Sequence, residues 1–179
     1  MILHCTQKLL KELGTPPLQT SDVPTIGLGN WYANLLLIDR RKCVLFTNEK
    51  TLYSFLLPNV KKENLKNIAD EFLLNLNLNL QAEGIPIEVI GRVMLEYTDI
   101  GFARTANKKV LGSMNEFTFQ YKDIIMNRYA RIEQVNALEL NKEINRTIMG
   151  GINYLKPIES LLELLLGESA RKSLKTAIP

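Results

Sequence analysis

The chain has 179 residues, enough for one domain with a substantial core and too few for two domains of ordinary size. Apolar residues make up 46% and charged residues 23%, a globular balance that excludes a disordered or fibrous chain. The net charge of +3 does not by itself define a nucleic-acid-binding protein. Because the apolar runs are short and no secretion signal is recognisable, we expect a cytoplasmic protein that does not bind a membrane.

The N-terminal segment predicts a strand followed by a helix. Residues 1–5 are strand-like, and residues 7–13 have amphipathic helical spacing. Thr6 is suited to cap this helix at its start, and Gly14 is suited to end it in a left-handed turn. The proline-rich stretch 14–29 then predicts a long loop.

The strongest β signal follows this loop. Aromatic and aliphatic residues fill Trp31–Ile38, Cys43–Thr47 and Thr51–Leu57, and polar turns separate the three runs. This pattern predicts a three-stranded antiparallel meander with Asp39–Lys42 as its first turn.

Helical spacing dominates the second half of the chain. Apolar residues recur every three or four positions over 63–80, 107–127 and 137–145, which predicts a helix in each segment. Between the first two helices, residues 87–97 are mostly β-like, and we predict a strand there.

The C-terminal segment predicts a leucine-rich helix over 158–166, with Pro157 in its first turn and Gly167 at its end. This helix is apolar on more than one face. It therefore predicts either a helix sunk into the core or a surface for a homodimer or another protein partner. Residues 168–179 predict a polar tail.

Together these elements predict a single α+β domain over residues 1–167, an antiparallel sheet of four or five strands with three or four helices packed on it. The predicted core consists of apolar residues from these elements: Trp31, Leu35, Leu37, Val44, Phe46, Phe55, Ile68, Phe72, Leu76, Leu111, Met114 and Phe117.

Two blocks of the sequence form a recognisable signature. The first block reads GNWYANL from Gly29 and continues with IDRRKCVLFTNEKTL from Ile38. The second reads ARTAN from Ala103 and continues with VLGSMNE from Val110. Together the two blocks resemble the signature of an uncharacterised bacterial family of small single-domain proteins. The resemblance implies a stand-alone bacterial domain of unknown function that spans nearly the whole chain. It transfers no catalytic residue to any position.

Positive charge is concentrated in two regions. Residues 39–66 carry seven Lys or Arg against three acids, and residues 103–131 carry six against two. In the first region the hairpin turn presents three adjacent cations, Arg40, Arg41 and Lys42, which suit phosphate groups. Nearby aromatic residues would add a stacking surface for single strands: Trp31, Tyr32 and Phe46. The alternative is an ordinary solvated turn.

The second basic cluster lies at the start of the helix over 107–127. Asn107 is suited to cap this helix, and Arg104, Lys108 and Lys109 would complete a pocket for a phosphate or carboxylate. The alternative is a capped helix with exposed cations.

Catalytic and metal-binding patterns are weak. His4 and Cys5 are neighbours in a strand, so their side chains should point to opposite faces. With one histidine and no CxxC pair, we predict no metal site and no cofactor, and we expect Cys5 and Cys43 to be buried reduced thiols. Glu96 and Asp99 have a spacing that would suit a magnesium-dependent nuclease and is also common in proteins without a metal.

The favoured hypothesis is therefore a non-catalytic module that binds nucleic acid or another polyanion. One alternative is a small hydrolase or nuclease of the toxin or defence type. A second alternative is a protein-interaction module that uses the C-terminal helix.

Overall fold

The computed structural model describes residues 1–14 and 27–167. One five-stranded sheet crosses the described part of the chain, in the order β4-β3-β2-β1-β5. Its strands are β1 Ile2–Cys5, β2 Trp31–Ile38, β3 Arg41–Asn48, β4 Ser54–Leu57 and β5 Gly101–Arg104. The α+β class and the β2-β3-β4 meander are confirmed. The sheet is mixed rather than antiparallel throughout, because β1 pairs in parallel with both β2 and β5.

Helices cover both faces of the sheet, and the described residues contain more of them than the three or four predicted. The α-helices are α1 Gln7–Leu13, α2 Lys62–Lys66, α3 Ile68–Ala82, α4 Ile87–Glu96, α5 Lys108–Arg128, α6 Ala137–Ile144 and α7 Pro157–Leu166. Two short 3₁₀ turns, Ile132–Gln134 and Gly150–Ile152, flank α6 in sequence. The predicted tail and most of the predicted 14–29 loop lie outside the described residues.

The side chains of β2 alternate between the two faces of the sheet, and this divides the interior into two cores. Trp31, Ala33 and Leu35 pack with α1, α3, α4 and α7 in the first core, whereas Tyr32 and Leu36 pack with α5 and α6 in the second. Ten of the twelve predicted core residues are fully buried.

Two predicted core residues differ from expectation. Leu37 is 52% exposed, because it lies opposite Lys42 next to the hairpin turn. On this face of β2, Leu35 is the last residue that belongs to the first core. Leu111 packs against the second core but is only half-buried.

The predicted strand over 87–97 is wrong, because this segment forms helix α4. Its buried residues Val89, Ile90, Val93 and Tyr97 recur at helical spacing and pack into the first core. The actual strand is the short β5, which follows α4 and pairs with β1 at the edge of the sheet.

Helix α1 begins and ends where predicted, but Thr6 does not cap it through its side chain. The Thr6 hydroxyl instead donates to Asn34 Oδ1 at 3.1 Å and ties the start of α1 to β2. Gly14 ends the helix with a φ of 66°, in the left-handed region that glycine adopts without strain.

Two asparagines, one in α6 and one directly after it, protect the outer edge of β4. Asn145 pairs with Ser54 as a neighbouring strand would: Ser54 N–H donates to Oδ1 at 2.8 Å, and Nδ2 donates to the Ser54 carbonyl oxygen at 2.6 Å. One turn earlier, Asn141 Oδ1 accepts from Leu56 N–H at 3.0 Å and from the Tyr121 hydroxyl at 2.8 Å. The edge therefore has its backbone groups satisfied by side chains rather than left open for another strand.

The two cysteines are free and buried, as predicted, and they lie in different cores. Cys5 belongs to the first core and Cys43 to the second. Burial raises the pKa of the Cys5 thiol to about 12 and also raises the pKa of Cys43. Both thiols are therefore protonated and unreactive in the folded state.

Across residues 1–14 and 27–167, no helix combines the length and the apolar character needed to cross a membrane.

Candidate functional site

The turn between β2 and β3 has two residues in the left-handed region. Asp39 has a φ of 46° and Arg40 a φ of 58°, between the paired residues Ile38 and Arg41. Positive φ at both positions matches a type I′ hairpin turn, in which Asn-Gly and Asp-Gly are preferred. A side chain other than glycine in this conformation costs about 1–3 kcal/mol. The chain therefore carries a strained arginine at the tip of its central hairpin.

This hairpin tip packs against the segment that follows α5. Ile132 N–H donates to Asp39 Oδ2 at 3.4 Å, and Arg41 Nε lies 3.1 Å from Glu133 Oε1. Between the two segments is a cleft of about 710 Å³, which we call the arginine cleft. Its lining residues are Asp39, Arg40, Arg41, Ala130, Arg131, Glu133 and Gln134.

The three arginines of this cleft differ in their partners. Arg41 is neutralised by Glu133. Arg40 and Arg131 are exposed, and neither makes an ion pair with a residue that the structure describes. Two guanidinium groups are therefore available at the cleft, and their planar donor sets match phosphate and carboxylate oxygens.

Lys42 serves a different cleft on the opposite side of the hairpin. Val60 N–H donates to the Lys42 carbonyl oxygen at 2.7 Å, which brings the chain after β4 back across β3 and places α2 near Lys42. The resulting cleft of about 440 Å³, which we call the lysine cleft, is lined by Glu12, Leu13, Lys42, Lys62, Leu65 and Lys66.

Glu12 is the acid of the lysine cleft. Lys42 Nζ donates to Glu12 Oε2 at 2.6 Å. This hydrogen bond, together with the charges of Lys42, Lys8 and Lys11, lowers the pKa of Glu12. The carboxylate is therefore surrounded by positive charge and remains ionised at neutral pH.

The predicted stacking surface beside the hairpin is wrong. Trp31, Tyr32 and Phe46 are all buried, because helices cover both faces of the meander. Trp31 and Phe46 instead belong to an aromatic cluster in which Phe55 and Phe72 lie with ring centroids 5.0–5.8 Å from their neighbours. These rings stabilise the first core and are not accessible to a ligand.

The second predicted cluster forms a capped helix start. Asn107 Oδ1 accepts from the backbone N–H groups of Lys109 at 3.0 Å and Val110 at 3.3 Å, so the predicted cap is confirmed. Lys108 and Lys109 are exposed in the first turn of α5, and Arg104 is exposed at the end of β5.

Helix α5 separates the two predicted basic clusters. It has 21 residues, and a helix of that length spans about 30 Å. Asn107 lies at its start, where its N–H donates to the Tyr32 hydroxyl at 3.2 Å, whereas the arginine cleft lies just beyond its end. The hairpin and the start of α5 therefore do not form one compact site.

His4 and Cys5 point to opposite faces of β1, as predicted. His4 Nδ1 donates to the Arg104 carbonyl oxygen at 3.0 Å, and its ring stacks on Tyr32 with centroids 4.8 Å apart. Cys5 is buried in the first core. The histidine therefore links β1 to β5 and β2 and does not activate the thiol.

The acids and tyrosines considered for catalysis do not converge. The Glu96 carboxylate packs directly against Gly27, and Asp99 accepts a hydrogen bond from the N-terminal ammonium through its backbone oxygen at 2.8 Å. Burial raises the pKa of the Tyr53, Tyr97 and Tyr121 phenols, which makes them poor proton donors and acceptors near neutral pH. Within the described ranges, no three His, Cys, Asp or Glu side chains are grouped as metal ligands.

An ion pair that the sequence did not suggest joins the end of α3 to the segment after α6. The Glu83 side chain is fully buried and receives both terminal nitrogens of Arg146, at 3.2 and 2.8 Å. The Tyr53 hydroxyl donates to the same carboxylate at 3.3 Å. All three groups satisfy one another, so we interpret the cluster as structural.

Helix α7 packs mainly into the protein. Ile158, Leu161 and Leu162 are buried in the first core, and Leu164 is 43% exposed. Its leucines suggested either a core helix or a surface for a partner. Burial in the core accounts for most of the apolar surface of the helix.

The architecture is that of an α+β domain, a mixed sheet between two helical layers with a cationic cleft on each side of its central hairpin. The chain belongs to a family described as a domain of unknown function, DUF6933, whose model matches residues 2–160. This match confirms the resemblance to an uncharacterised family that the two sequence blocks suggested. A search of the curated proteins and a search of the solved structures each gave no significant match.

Proposed function

We propose that this protein is a non-catalytic module that binds nucleic acid or another polyanion through the arginine cleft. The observation that carries the proposal is the pair Arg40 and Arg131, two guanidinium groups without an ionic partner in the described chain, on opposite walls of one cleft. Arginine is the side chain best suited to hold phosphate oxygens in a fixed geometry.

The conformation of Arg40 supports a functional role. Its positive φ would be accommodated with less strain by glycine or asparagine. Backbone strain of this kind is concentrated at binding and catalytic sites, where the side chain matters more than the local stability. The ion pair between Arg41 and Glu133 holds the hairpin against the 130–134 segment and fixes the width of the cleft.

A polymeric anion suits the charge distribution better than a small one. The second predicted cluster, Arg104, Asn107, Lys108 and Lys109, lies about one α5 length away, roughly 30 Å from the hairpin. A nucleic-acid strand that follows α5 would reach both clusters, whereas a single phosphate would bind at only one. Lys42, on the other side of the hairpin, is paired with Glu12 and therefore contributes little to this attraction.

The test is a mobility-shift assay of the purified, nuclease-treated protein with labelled single- and double-stranded DNA and RNA at increasing salt. We expect binding that weakens as salt is added, because the binding of phosphates releases counterions. The variant Arg40→Gln/Arg131→Gln should weaken binding and reduce the slope of log affinity against log salt by about 2, one for each phosphate that is no longer neutralised.

A charge-matched control is Lys8→Gln/Arg92→Gln, which removes two exposed cations that line neither cleft and lie on α1 and α4, away from α5. It should retain most of the affinity and the salt slope. A separate variant, Lys108→Gln/Lys109→Gln, measures how much the start of α5 contributes to the binding affinity. The absence of a shift at low salt, or equal losses of affinity in the Arg40/Arg131 variant and the control, would overturn the proposal. Degradation of the probe would favour the hydrolase or nuclease alternative.

A further inference from the structure

The lysine cleft has features that the binding of a polymer does not require. Lys62 and Lys66 are four residues apart on α2, so their side chains leave the same helix face with Cβ atoms about 6 Å apart. Both are exposed, and neither makes an ion pair with any residue in the described ranges. Their two ammonium groups can therefore approach a single anion.

The third lysine of the cleft is already paired. Glu12 accepts from Lys42 at 2.6 Å, which holds the Lys42 ammonium at the hairpin side of the cleft. Glu12 makes no ion pair with Lys62 or Lys66. The cleft lining thus combines three lysines with one carboxylate, and the positive excess lies on the α2 side.

The floor of the lysine cleft is apolar. Leu65 is 5% exposed and Leu13 is half-buried, and both pack with the first core. A smaller depression of about 170 Å³ shares Leu13, Leu65 and Lys66 with the cleft and extends to Phe102. Asn67 and Asp70 also line this depression, so the apolar side chains beyond the positive charge are accompanied by polar ones.

We infer that the lysine cleft binds a small phosphate monoester with an apolar or aromatic body. Lys62 and Lys66 hold the phosphate, and the body lies over Leu13 and Leu65 towards Phe102. The volume of about 440 Å³ falls within the range of small-molecule pockets, about 300–1,000 Å³. Two lysines facing one group favour a dianionic phosphate over a singly charged carboxylate, because each added charge gains from both ammonium groups. This site is separate from the arginine cleft and goes beyond the proposed function.

The experiment is an NMR titration of the full chain with phenyl phosphate, inorganic phosphate, phenol and benzoate. We expect phenyl phosphate to bind at least about tenfold more tightly than each of the other three, since only it satisfies both halves of the groove. The methyl signals of Leu13 and Leu65 should shift with phenyl phosphate and not with inorganic phosphate. Lys62→Gln/Lys66→Gln should weaken phenyl phosphate binding about tenfold or more, because it removes both charge-assisted hydrogen bonds.

The variants distinguish this inference from the proposed function. Arg40→Gln/Arg131→Gln should leave the affinity for phenyl phosphate unchanged. Equal affinity for inorganic and phenyl phosphate would show that the cleft senses charge alone, and unchanged binding by Lys62→Gln/Lys66→Gln would place the ligand elsewhere. Either result overturns the inference. Neither affects the polyanion proposal, which rests on the arginine cleft.

Discussion

Arg40 places a long cationic side chain at a turn position where the backbone favours glycine. The Arg40→Gly variant would convert the turn to Asp-Gly, which adopts the type I′ conformation with little strain. We expect the free energy of unfolding to rise by up to about 1 kcal/mol, because relief of the positive-φ strain exceeds the added entropy of the unfolded chain. Urea denaturation measures this change.

The same substitution should weaken polyanion binding, so stability and binding should move in opposite directions. Arg41→Gly is the control, because Arg41 is an extended residue of β3 and does not have a positive φ. That variant should lose about 0.5–2 kcal/mol of stability, because it places glycine in a strand and also removes the ion pair with Glu133. A loss of stability in Arg40→Gly as large as that in Arg41→Gly would contradict the strain argument.

At Gly151 the addition of a single carbon atom should lower stability, because the position is closely packed. A Cβ at this position would lie 2.8 Å from both Leu52 Cδ1 and Ser113 Oγ, between the 150–152 turn and α5. Gly151→Ala should therefore lower the free energy of unfolding by about 1–3 kcal/mol through overpacking. Chemical denaturation measures the change.

The adjacent glycine provides the matched control. A Cβ at Gly150 would meet only Tyr154 Cε1 at 3.9 Å, an ordinary contact distance. Gly150→Ala should change stability by less than about 0.5 kcal/mol. Similar effects for the two variants would mean that the 150–152 turn does not pack on α5 as described.

At the scale of elements, α6 acts as a substitute strand along β4. In Asn145→Ala the Ser54 N–H and carbonyl groups lose their partner while they remain buried. We expect a loss of about 3 kcal/mol, since each unsatisfied buried polar group costs about 1–3 kcal/mol. Thermal or urea unfolding measures it.

Asn115→Ala is the control for that variant, because Asn115 is an exposed asparagine on α5. It should lie within about 0.5 kcal/mol of the wild type. Equal behaviour of the two variants would show that the side-chain pairing contributes little.

Local patterns predicted most elements correctly, and α4 shows where they are ambiguous. Ile87, Val89, Val93 and Leu95 fit a period of two, and β-branched residues favour a strand. The competing helical set, Val89, Ile90 and Val93, is the one that is buried. Ile87 is 64% exposed and Leu95 75% exposed, so half of the apparent strand pattern does not face the core. Only the packing of α4 against α3 and the first core distinguishes the two periods.

The candidate site was predictable only where it is local. The hairpin turn follows from the sequence between two apolar runs, and it contains Arg40 and Arg41. Arg131 reaches the same cleft because the chain returns after α5, through hydrogen bonds such as that between Ile132 and Asp39, 93 residues apart. Lys62 and Lys66 likewise reach Lys42 through the crossing of Val60 over β3. Such contacts between distant segments depend on tertiary packing and leave no characteristic residue spacing in the sequence.

For the molecule as a whole, three buried tyrosines predict how stability changes at high pH. Tyr53, Tyr97 and Tyr121 have raised pKa values in the folded state, chiefly through burial. Their neutral forms favour the fold, and this contribution is complete below the unfolded-state pKa of about 10. As the pH rises beyond that value, the unfolded chain loses protons first and stability falls.

Phenolate absorbance and circular dichroism, followed together during an alkaline titration, measure this behaviour. We expect these three tyrosines to ionise only as the ellipticity is lost, in one cooperative step. Full ionisation of all six tyrosines near their ordinary pKa while the fold is retained would contradict it.

The placement of Cys5 and Cys43 in separate cores has a practical consequence for kinetics. Neither thiol can be alkylated until the sheet loses the helical layer above it, so each labelling rate reports how often that layer opens. Mass spectrometry of the two cysteine-containing peptides would measure the labelling rate of each thiol, and so the opening of each helical layer, within a single sample. A fast rate at Cys43 with a slow rate at Cys5 would mean that α5 and α6 detach as a unit while the other half of the protein persists. The two native thiols thus allow the cooperativity of the fold to be followed without an activity assay.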